Sequence, residues 1–367
     1  MRNLTKESIE NIATGASFMG AGGGGNPYIG KLMVLAAIKE ASSPIKLLDV
    51  TEVDPNALYI PVACMGAPSV MMEKFPRGDE FQKVIHALEK HLGKKVKGTF
   101  PIEAGGVNSM IPLVLSAQTG LPVVDCDSMG RAFPELQMTT LHLAGVRCAP
   151  MVIADEKGNL SFLETVTDKW AELLARDMTV EMGATACVAQ YASTGQELMN
   201  GAIHGIVTQC EKIGAIVHDH KLGTQEKRQA IVEVTGGYHL FDGKVVDVIQ
   251  KVVGGFNRGT IVLEGLNEST GKTMEISYQN ENLVARIDGR LVISVPDLIC
   301  FADVDSLVPI TTEEVKYGKR MTVFGLPSDD KWRTEAGINL VGPRYFGFDF
   351  DFDFVTVEEL LNERGAE

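Results

Sequence analysis

The spacing of hydrophobic residues changes along the chain and separates a first part of mixed character from a second part rich in strands. In the first part, short apolar and β-branched runs predict strands at 45–50, 57–63 and 123–124. Segments with apolar residues three and four apart predict helices at 5–13, 31–40, 79–92 and 109–119. Because strands and helices alternate, we predict an N-terminal α/β domain with a largely parallel sheet.

A helical pattern continues from 167 to 209, where Trp170, Leu173 and Leu174 fall on one side of a predicted helix. The hydrophobic pattern therefore divides this part of the chain into an α/β domain at 1–165 and a helical segment at 166–224.

Short strands dominate the last part of the chain. They are predicted at 230–235, 238–241, 244–250, 260–264, 273–278, 283–287, 291–295 and 320–325. The pairs Gly236-Gly237, Asp242-Gly243 and Asp288-Gly289 separate several of them, and Asp-Gly between apolar runs is a hairpin signal. We predict a mainly β domain at 225–356, with a largely antiparallel sheet folded into a sandwich or barrel.

Composition narrows the possible partners and the compartment. The 367 residues carry a formal net charge of −14, which argues against a nucleic-acid partner because phosphate binding needs a basic face. The chain has no run of eighteen apolar residues and no apolar N-terminal segment, so we expect a cytoplasmic protein without a membrane partner. Six cysteines without a Cys-x-x-Cys pair indicate reduced thiols.

The densest group of charged residues follows the predicted strand at 123–124. Asp125, Asp127, Arg131 and Glu135 lie within eleven residues, and the carboxyl end of a strand in an open α/β sheet opens onto the ligand crevice. Two carboxylates one residue apart suit a divalent cation or a shared proton, and an arginine could hold an anionic substrate. The alternative is a strand end and a turn, in which Arg131 only pairs with Glu135.

Four consecutive glycines, Gly22, Gly23, Gly24 and Gly25, precede Asn26 and the helix predicted at 31–40. Backbone without side chains can approach a ligand closely and present N–H groups to it, and the helix would point its N-terminus at the same place. The spacing matches neither the dinucleotide fingerprint nor a P-loop, so we expect no nucleotide cofactor. A flexible surface loop is the alternative.

Two more loops of small and polar residues follow predicted strands. One carries Cys64, and the other carries Glu103, Gly105, Gly106 and Asn108. Right-handed crossovers would bring such loops to one edge of the sheet, around a common opening with the glycine run and Asp125. For Cys64, a buried core cysteine is the alternative.

Five segments form a recognisable set: Gly22–Tyr28, the Glu103-x-Gly-Gly-x-Asn108 turn, Asp125–Glu135, Gly254-Gly-Phe-x-Arg-Gly259 and Val341-Gly-Pro-Arg-x-Phe-Gly347. Together they resemble one protein family, the S-methyl thiohydantoin desulfurase family, which is often described as hydantoinase-like. The resemblance spans about 9–353, and it implies an α/β domain followed by a mainly β domain. It also implies hydrolytic removal of methanethiol from a thiohydantoin ring. This chain has Cys126 and Ser128 where the family pattern more often has Gly.

The residues and the resemblance lead to one main hypothesis, a hydrolase acting on a small cyclic amide, imide or S-methyl thiohydantoin-like ring in heterocycle catabolism. Asp125 and Asp127 would activate water directly or through one divalent metal, with zinc as the first choice. Arg131 and the glycine N–H groups would hold ring oxygens, Glu135 would orient Arg131, and Asn108 would contact the ring. A thiolate mechanism at Cys126 or Cys64 is a variant.

A non-catalytic ligand-binding or accessory subunit of a hydantoinase-type enzyme is the alternative function, in which the same loops would bind the ligand. A homodimer is expected only because it is the commonest oligomer.

Overall fold

A computed structural model describes residues 1–41, 43–66, 70, 74, 77–253 and 256–352. Its α-helices are Lys6–Met19 (α1), Pro27–Glu40 (α2), Glu80–Leu92 (α3), Ile111–Thr119 (α4), Thr140–Leu143 (α5), Asp168–Glu181 (α6), Gly195–Gly201 (α7), Ile206–His218 (α8), Thr224–Thr235 (α9) and Glu335–Val341 (α10). The family-like residues Gly254, Gly255 and Asp353, and the end of the predicted β domain at 353–356, lie outside the described residues.

The strands of the first part are Arg2–Asn3 (β1), Lys46–Leu48 (β2), Leu58–Tyr59 (β3), Val62–Gly66 (β4), Val96–Gly98 (β5), Val123–Val124 (β6), Cys126–Asp127 (β7), Met151–Ala154 (β8), Leu160–Leu163 (β9), Thr185–Ala189 (β10), Ser193–Thr194 (β11) and Ile203–His204 (β12). Those of the second part are Tyr238–Val253 (β13), Phe256–Gly265 (β14), Thr273–Gln279 (β15), Glu281–Ile287 (β16), Arg290–Ser294 (β17), Leu298–Asp303 (β18) and Arg320–Leu326 (β19).

The first two helices begin where side chains cap them. Thr5 Oγ1 accepts a hydrogen bond from the Ser8 N–H at 3.0 Å, and the buried residues of α1 continue to Met19, six residues beyond the predicted end. Asn26 Oδ1 accepts from the Tyr28 N–H at 2.9 Å and starts α2 at Pro27. The glycine run therefore connects two helices directly.

The prediction of a largely parallel N-terminal sheet is correct only in part. Parallel pairing joins β2 to β6 and β3 to β5, whereas the four-stranded sheet β4-β10-β8-β9 is antiparallel. The difference arises at β10, which lies inside the segment predicted to be helical and inserts between β4 and β8. Its apolar run Thr185–Ala189 is buried throughout, and periodicity alone does not distinguish such a run from a buried helix.

The antiparallel prediction for the second part is confirmed by a curled seven-stranded sheet with the order β17-β16-β15-β14-β13-β19-β18. Asp288 and Gly289 form the predicted tight hairpin, with φ of 49° and 81°. Asp242 and Gly243 do not, because β13 continues through them with irregular register on both sides.

The predicted strand at 230–235 is wrong. These residues form the end of α9, which starts after Gly223 and ends at Gly236 with φ of 63°. The residues from Gln225 to Ala230 favour a helix, and the β-branched residues at 231–235 extend that helix instead of starting a strand.

The glycine run joins the two parts of the molecule. The Asn282 N–H donates to Ala21 O at 2.9 Å, and the Thr312 N–H donates to Gly22 O at 2.8 Å. Trp332, fully buried, donates from Nε1 to Met129 O at 2.8 Å and ties the chain after β19 to the loop after β7. Among the described residues, no helix combines the length and the apolar character that crossing a membrane requires.

Candidate functional site

A cavity of about 100 Å³ lies where loops from both parts of the chain meet. Its lining comes from the glycine run, the end of β4, the loop before α4, the loop after β7, α6, the end of β10 and the start of β16. Of the residues predicted from sequence, Gly23, Gly24, Gly25, Cys64, Asn108 and Glu135 are in the lining. Gly22, Asn26, Gly105, Gly106, Asp125, Asp127 and Arg131 are not among the described lining residues.

The glycine run reaches the cavity because its backbone packs directly on the loop before α4. Gly24 has φ of 76°, and a Cβ there would lie 2.4 Å from the Cα of Gly105. The Val107 N–H donates to Gly24 O at 2.9 Å and fixes this contact. In the described part of the chain, the N–H groups of Gly24 and Gly25 donate to no acceptor, so they are available to a bound molecule.

Glu103 is a buried carboxylate in the cavity wall, held by a network that Asn108 organises. Asn108 Nδ2 donates to Glu103 Oε1 at 2.7 Å and to Cys64 O at 3.1 Å, while its Oδ1 accepts from the Cys64 N–H at 2.8 Å. The Phe133 N–H also donates to Glu103. Burial raises the pKa of Glu103 to about 7, and these hydrogen bonds limit the rise. Asn108 is thus positioned to orient Glu103, with its amide already occupied.

Glu281 lies in the same wall and comes from the other part of the chain, at the first residue of β16. Its Oε2 atom is buried and has no hydrogen-bond partner among the described residues. Burial raises the pKa of this carboxyl well above its ordinary value, and the neighbouring Glu103 raises it further, whereas Arg131 lowers it. Both carboxyl groups therefore hold a proton more tightly than an ordinary glutamate does, and Glu103 is close to half ionised at neutral pH.

The other charged residues of the lining are neutralised by partners. Glu135 accepts from Lys169 and from the Tyr345 hydroxyl at 2.7 Å, and these bonds lower its pKa although burial opposes them. Arg176 pairs with Glu172 and donates to Pro134 O at 2.9 Å.

Arg131 is fully buried and donates to four backbone carbonyls. Nε reaches Ala132 O at 3.1 Å, Nη1 reaches Pro296 O and Asp297 O at 3.0 and 2.9 Å, and Nη2 reaches Asn282 O at 2.9 Å. Burial lowers its pKa to about 10, against the opposing effect of Glu281. Its contacts differ from the expected pairing with Glu135, and they fasten the loop after β7 to the C-terminal sheet.

Asp125 caps a helix. The Thr208 N–H donates to Asp125 Oδ1 at 3.0 Å, the Thr208 hydroxyl donates to Oδ2, and the Gly205 N–H donates to Asp125 O at 2.8 Å. These contacts satisfy donors at the N-terminus of α8.

Asp127 accepts from its own turn, from the Gly130 N–H at 2.9 Å and the Met129 N–H at 3.3 Å. It is fully buried, and burial raises its pKa well above the ordinary value despite those two bonds. Its carboxylate therefore stabilises the turn that carries Arg131 and Phe133.

Asp125 and Asp127 are poorly placed to bind the predicted divalent metal, because the carboxylates of both already accept hydrogen bonds from backbone N–H groups. In the described ranges, no group of three or more His, Cys, Asp or Glu side chains is placed to hold a metal ion. The residues present therefore do not fit a metal at this position, and the metal stays a prediction.

A thiolate is disfavoured at both cysteines considered. Burial raises the pKa of Cys64 to about 12, and it also raises the pKa of Cys126 well above the ordinary value of a thiol. Both are protonated at neutral pH.

Sequence reasoning placed Glu103 at the common opening but did not assign it a chemical role, and it missed Glu281, Gln190 and Arg176. Glu281 is the first residue of β16 and Gln190 directly follows β10, and the apolar pattern of these segments gave no reason to single them out. The polar run Gln279-Asn280-Glu281-Asn282, directly before an apolar segment, was the available sequence signal for Glu281.

Comparison with known proteins gives two kinds of match. Residues 7–165 match the model of the S-Me-THD-like N-terminal domain, and residues 166–355 match that of the S-Me-THD-like C-terminal domain. A crystal structure of a protein from Chromobacterium violaceum, a structural genomics target, aligns with a TM-score of 0.81 over 96% of this chain and 99% of that one. At 21% identity, it supports the fold alone. A search of curated proteins finds no match.

Proposed function

The chain belongs to the S-methyl thiohydantoin desulfurase family, which relates it to thiohydantoin metabolism, and from that premise we propose that it is a hydrolase. Its substrate is a small five-membered ring whose carbon between two nitrogens carries an S-methyl group. Hydrolysis replaces that group by oxygen and releases methanethiol. The reaction takes place in the cavity lined by Glu103 and Glu281.

One observation carries the proposal: two buried carboxyl groups from different parts of the chain share one small cavity and differ in their hydrogen bonds. Glu103 receives hydrogen bonds that favour its ionised form, whereas Glu281 Oε2 receives none from any residue that the structure describes. Environments that push the pKa values of two neighbouring acids apart create a base and an acid at one pH. Addition of water across a C=N bond needs both.

The first half of the reaction adds water to the ring. Glu103 accepts a proton from water as its oxygen bonds to the ring carbon, and Glu281 donates its proton to the ring nitrogen as the C=N π bond breaks. The tetrahedral carbon then carries hydroxyl, sulfur and two nitrogens. The unpaired N–H groups of Gly24 and Gly25 are donors that can hold the oxygen at this stage.

The second half expels the sulfur. Glu103 returns its proton to the sulfur as the C–S bond breaks, and the hydroxyl oxygen gives its proton to Glu281 as the new C=O bond forms. Both carboxyl groups regain their starting states. One proton of water ends on the ring nitrogen and the other on methanethiol, so the reaction is balanced without a cofactor.

The test is release of methanethiol from S-methyl thiohydantoin by the purified protein, measured with a thiol reagent and matched to hydantoin formed. Replacing Glu103 by Gln keeps the size and the Asn108 contact but removes the base, so turnover should fall about 100-fold to 10,000-fold. The Glu281→Gln variant should show a loss in the same range. Treatment with a chelator should leave turnover unchanged.

The Asp125→Asn variant is the matched control, because Asp125 lies outside the described cavity lining. If Asp125→Asn abolishes turnover in folded protein while Glu103→Gln does not, the assigned site is wrong. Loss in chelator that zinc restores would support the metal expected at Asp125 and Asp127. Ring binding without turnover by the unmodified protein would favour the ligand-binding subunit.

A further inference from the structure

Gln190 is a buried side chain in the cavity wall that no step above uses. It follows β10 directly, its exposed fraction is 1%, and it lines the cavity together with Val188. Its Nε2 atom is buried and has no hydrogen-bond partner among the described residues. Burying an amide donor without an acceptor is destabilising, so such a group in a cavity wall points to a bound acceptor.

The orientation of the Gln190 amide follows from its neighbour Cys148. Cys148 Sγ donates to Gln190 Oε1 at 3.4 Å, and burial keeps this thiol protonated because it raises the pKa well above the ordinary value. Cys148 is itself fixed, since its N–H donates to Asp168 Oδ1 at 3.0 Å and its carbonyl accepts from the Tyr191 N–H at 3.1 Å. The thiol holds the amide oxygen, which leaves the NH2 group as the free end.

The groups left free in the described lining are mostly donors. Glu103, Glu135 and Arg176 have hydrogen-bond partners. Among the described residues, no partner is found for Gln190 Nε2, for Glu281 Oε2 or for the Gly24 and Gly25 N–H groups. In the proposed reaction, the Gly24 and Gly25 N–H groups donate to the oxygen that water adds to the ring carbon. The Gln190 donor therefore has no acceptor until the ring supplies a second oxygen.

We propose that Gln190 Nε2 donates a hydrogen bond to a carbonyl oxygen that the substrate ring already carries, and that this bond makes the enzyme selective for oxo-substituted rings. The inference rests on the proposed function and names the substrate class more narrowly. A site with a donor dedicated to one substrate oxygen discriminates strongly against a ring that lacks it, because the buried donor then stays unpaired.

Binding of two products separates this selectivity from turnover. Hydantoin carries the oxygen that hydrolysis creates and a second ring carbonyl, whereas 2-imidazolidinone carries only the first. Titration calorimetry of the unmodified protein should give a dissociation constant at least about tenfold lower for hydantoin. The Gln190→Met variant, of similar length and without a donor, should bind both rings with similar constants.

Gln279→Met is the matched control, because Gln279 is also a buried glutamine and lies outside the described lining. It should retain the preference for hydantoin. Equal binding of both rings by the unmodified protein, or an unchanged preference in Gln190→Met, would overturn the inference. Absence of methanethiol release with the hydantoin preference intact would instead overturn the proposed hydrolysis and leave the role of Gln190 standing.

Discussion

Gly23 and Glu281 lie in direct contact across the junction of the two parts of the chain. A Cβ atom on Gly23 would fall 2.1 Å from Glu281 Oε1 and 2.7 Å from its carboxyl carbon. The absence of a side chain at Gly23 therefore determines where the proposed acid stands, and the glycine run serves the site through packing as well as through its N–H groups.

Replacing Gly23 by Ala should displace the Glu281 carboxyl and lower turnover of S-methyl thiohydantoin about 100-fold, because misplacing a reacting group by an ångström has effects of that size. Steady-state kinetics and a thermal unfolding curve should be recorded together. Gly223→Ala is the control, since the nearest atom to a Cβ there is 3.5 Å away. Unchanged turnover in folded Gly23→Ala protein would show that turnover does not depend on this position of the Glu281 carboxyl.

The pH dependence of turnover should report the ionisation of Glu103. Because burial raises its pKa to about 7, kcat/KM should rise about tenfold per pH unit below that value and level off above it. Product chromatography between pH 5 and 9 measures the profile. A profile without an inflection near 7, in an enzyme whose chemical step limits the rate, would rule out Glu103 as the base.

The convergence of several loops could be predicted from the sequence because it follows from topology. Strand ends followed by small and polar residues placed Cys64, Glu103 and Asn108 at one opening with the glycine run, and the structure has them around one cavity with Gly23 to Gly25. Asp125, placed there by the same reasoning, is not among the described lining residues. The same reasoning could not identify Glu281, because it reaches the cavity through the packing of a separate sheet, and no local pattern encodes that contact.

Tertiary contacts also explain the predicted turn that is absent. Asp242 and Gly243 have the composition of a hairpin, yet Asp242 is buried and bonds to Arg228, His239 and Asn267. Burial raises the pKa of this carboxyl, but the hydrogen bonds from His239 and Asn267 outweigh it and lower the pKa, so the carboxylate is satisfied inside a continuous strand. At Asp288-Gly289, the Asp288 carboxylate accepts a hydrogen bond from the Thr273 N–H at 2.9 Å, and both turn residues adopt the positive φ that this pair favours.

Replacing Arg131 by Lys should destabilise the protein by about 3 kcal/mol, because an ammonium group cannot reach the carbonyls of Ala132, Asn282, Pro296 and Asp297 together. Denaturant unfolding measures the change, with the exposed Arg258→Lys variant as the control. A variant that keeps its stability but loses turnover would restore the substrate-holding role predicted for Arg131.

The Asp125→Asn variant should lose about 1 kcal/mol of stability at most and keep its turnover, since the carboxylate caps α8. Thr208→Val, which removes the hydroxyl donor on the other side of the same contact, should produce a similar loss of stability. Unfolding curves and assays of both variants are compared. Inactive Asp125→Asn beside active Thr208→Val would point to a catalytic role for Asp125.

The raised pKa of Glu103 also predicts how stability varies with pH. The folded state binds the Glu103 proton more tightly than the unfolded state, whose pKa is near 4.5, so protonated Glu103 favours folding. This contribution, on the order of 3 kcal/mol, is complete below pH 4.5 and is lost as the pH rises to about 7.

The Glu103→Gln variant stays neutral at every pH and keeps the size of the side chain. Its free energy of unfolding relative to the unmodified protein should therefore increase between pH 4.5 and 7.5 in denaturant titrations, and a difference independent of pH would place the Glu103 pKa near its ordinary value.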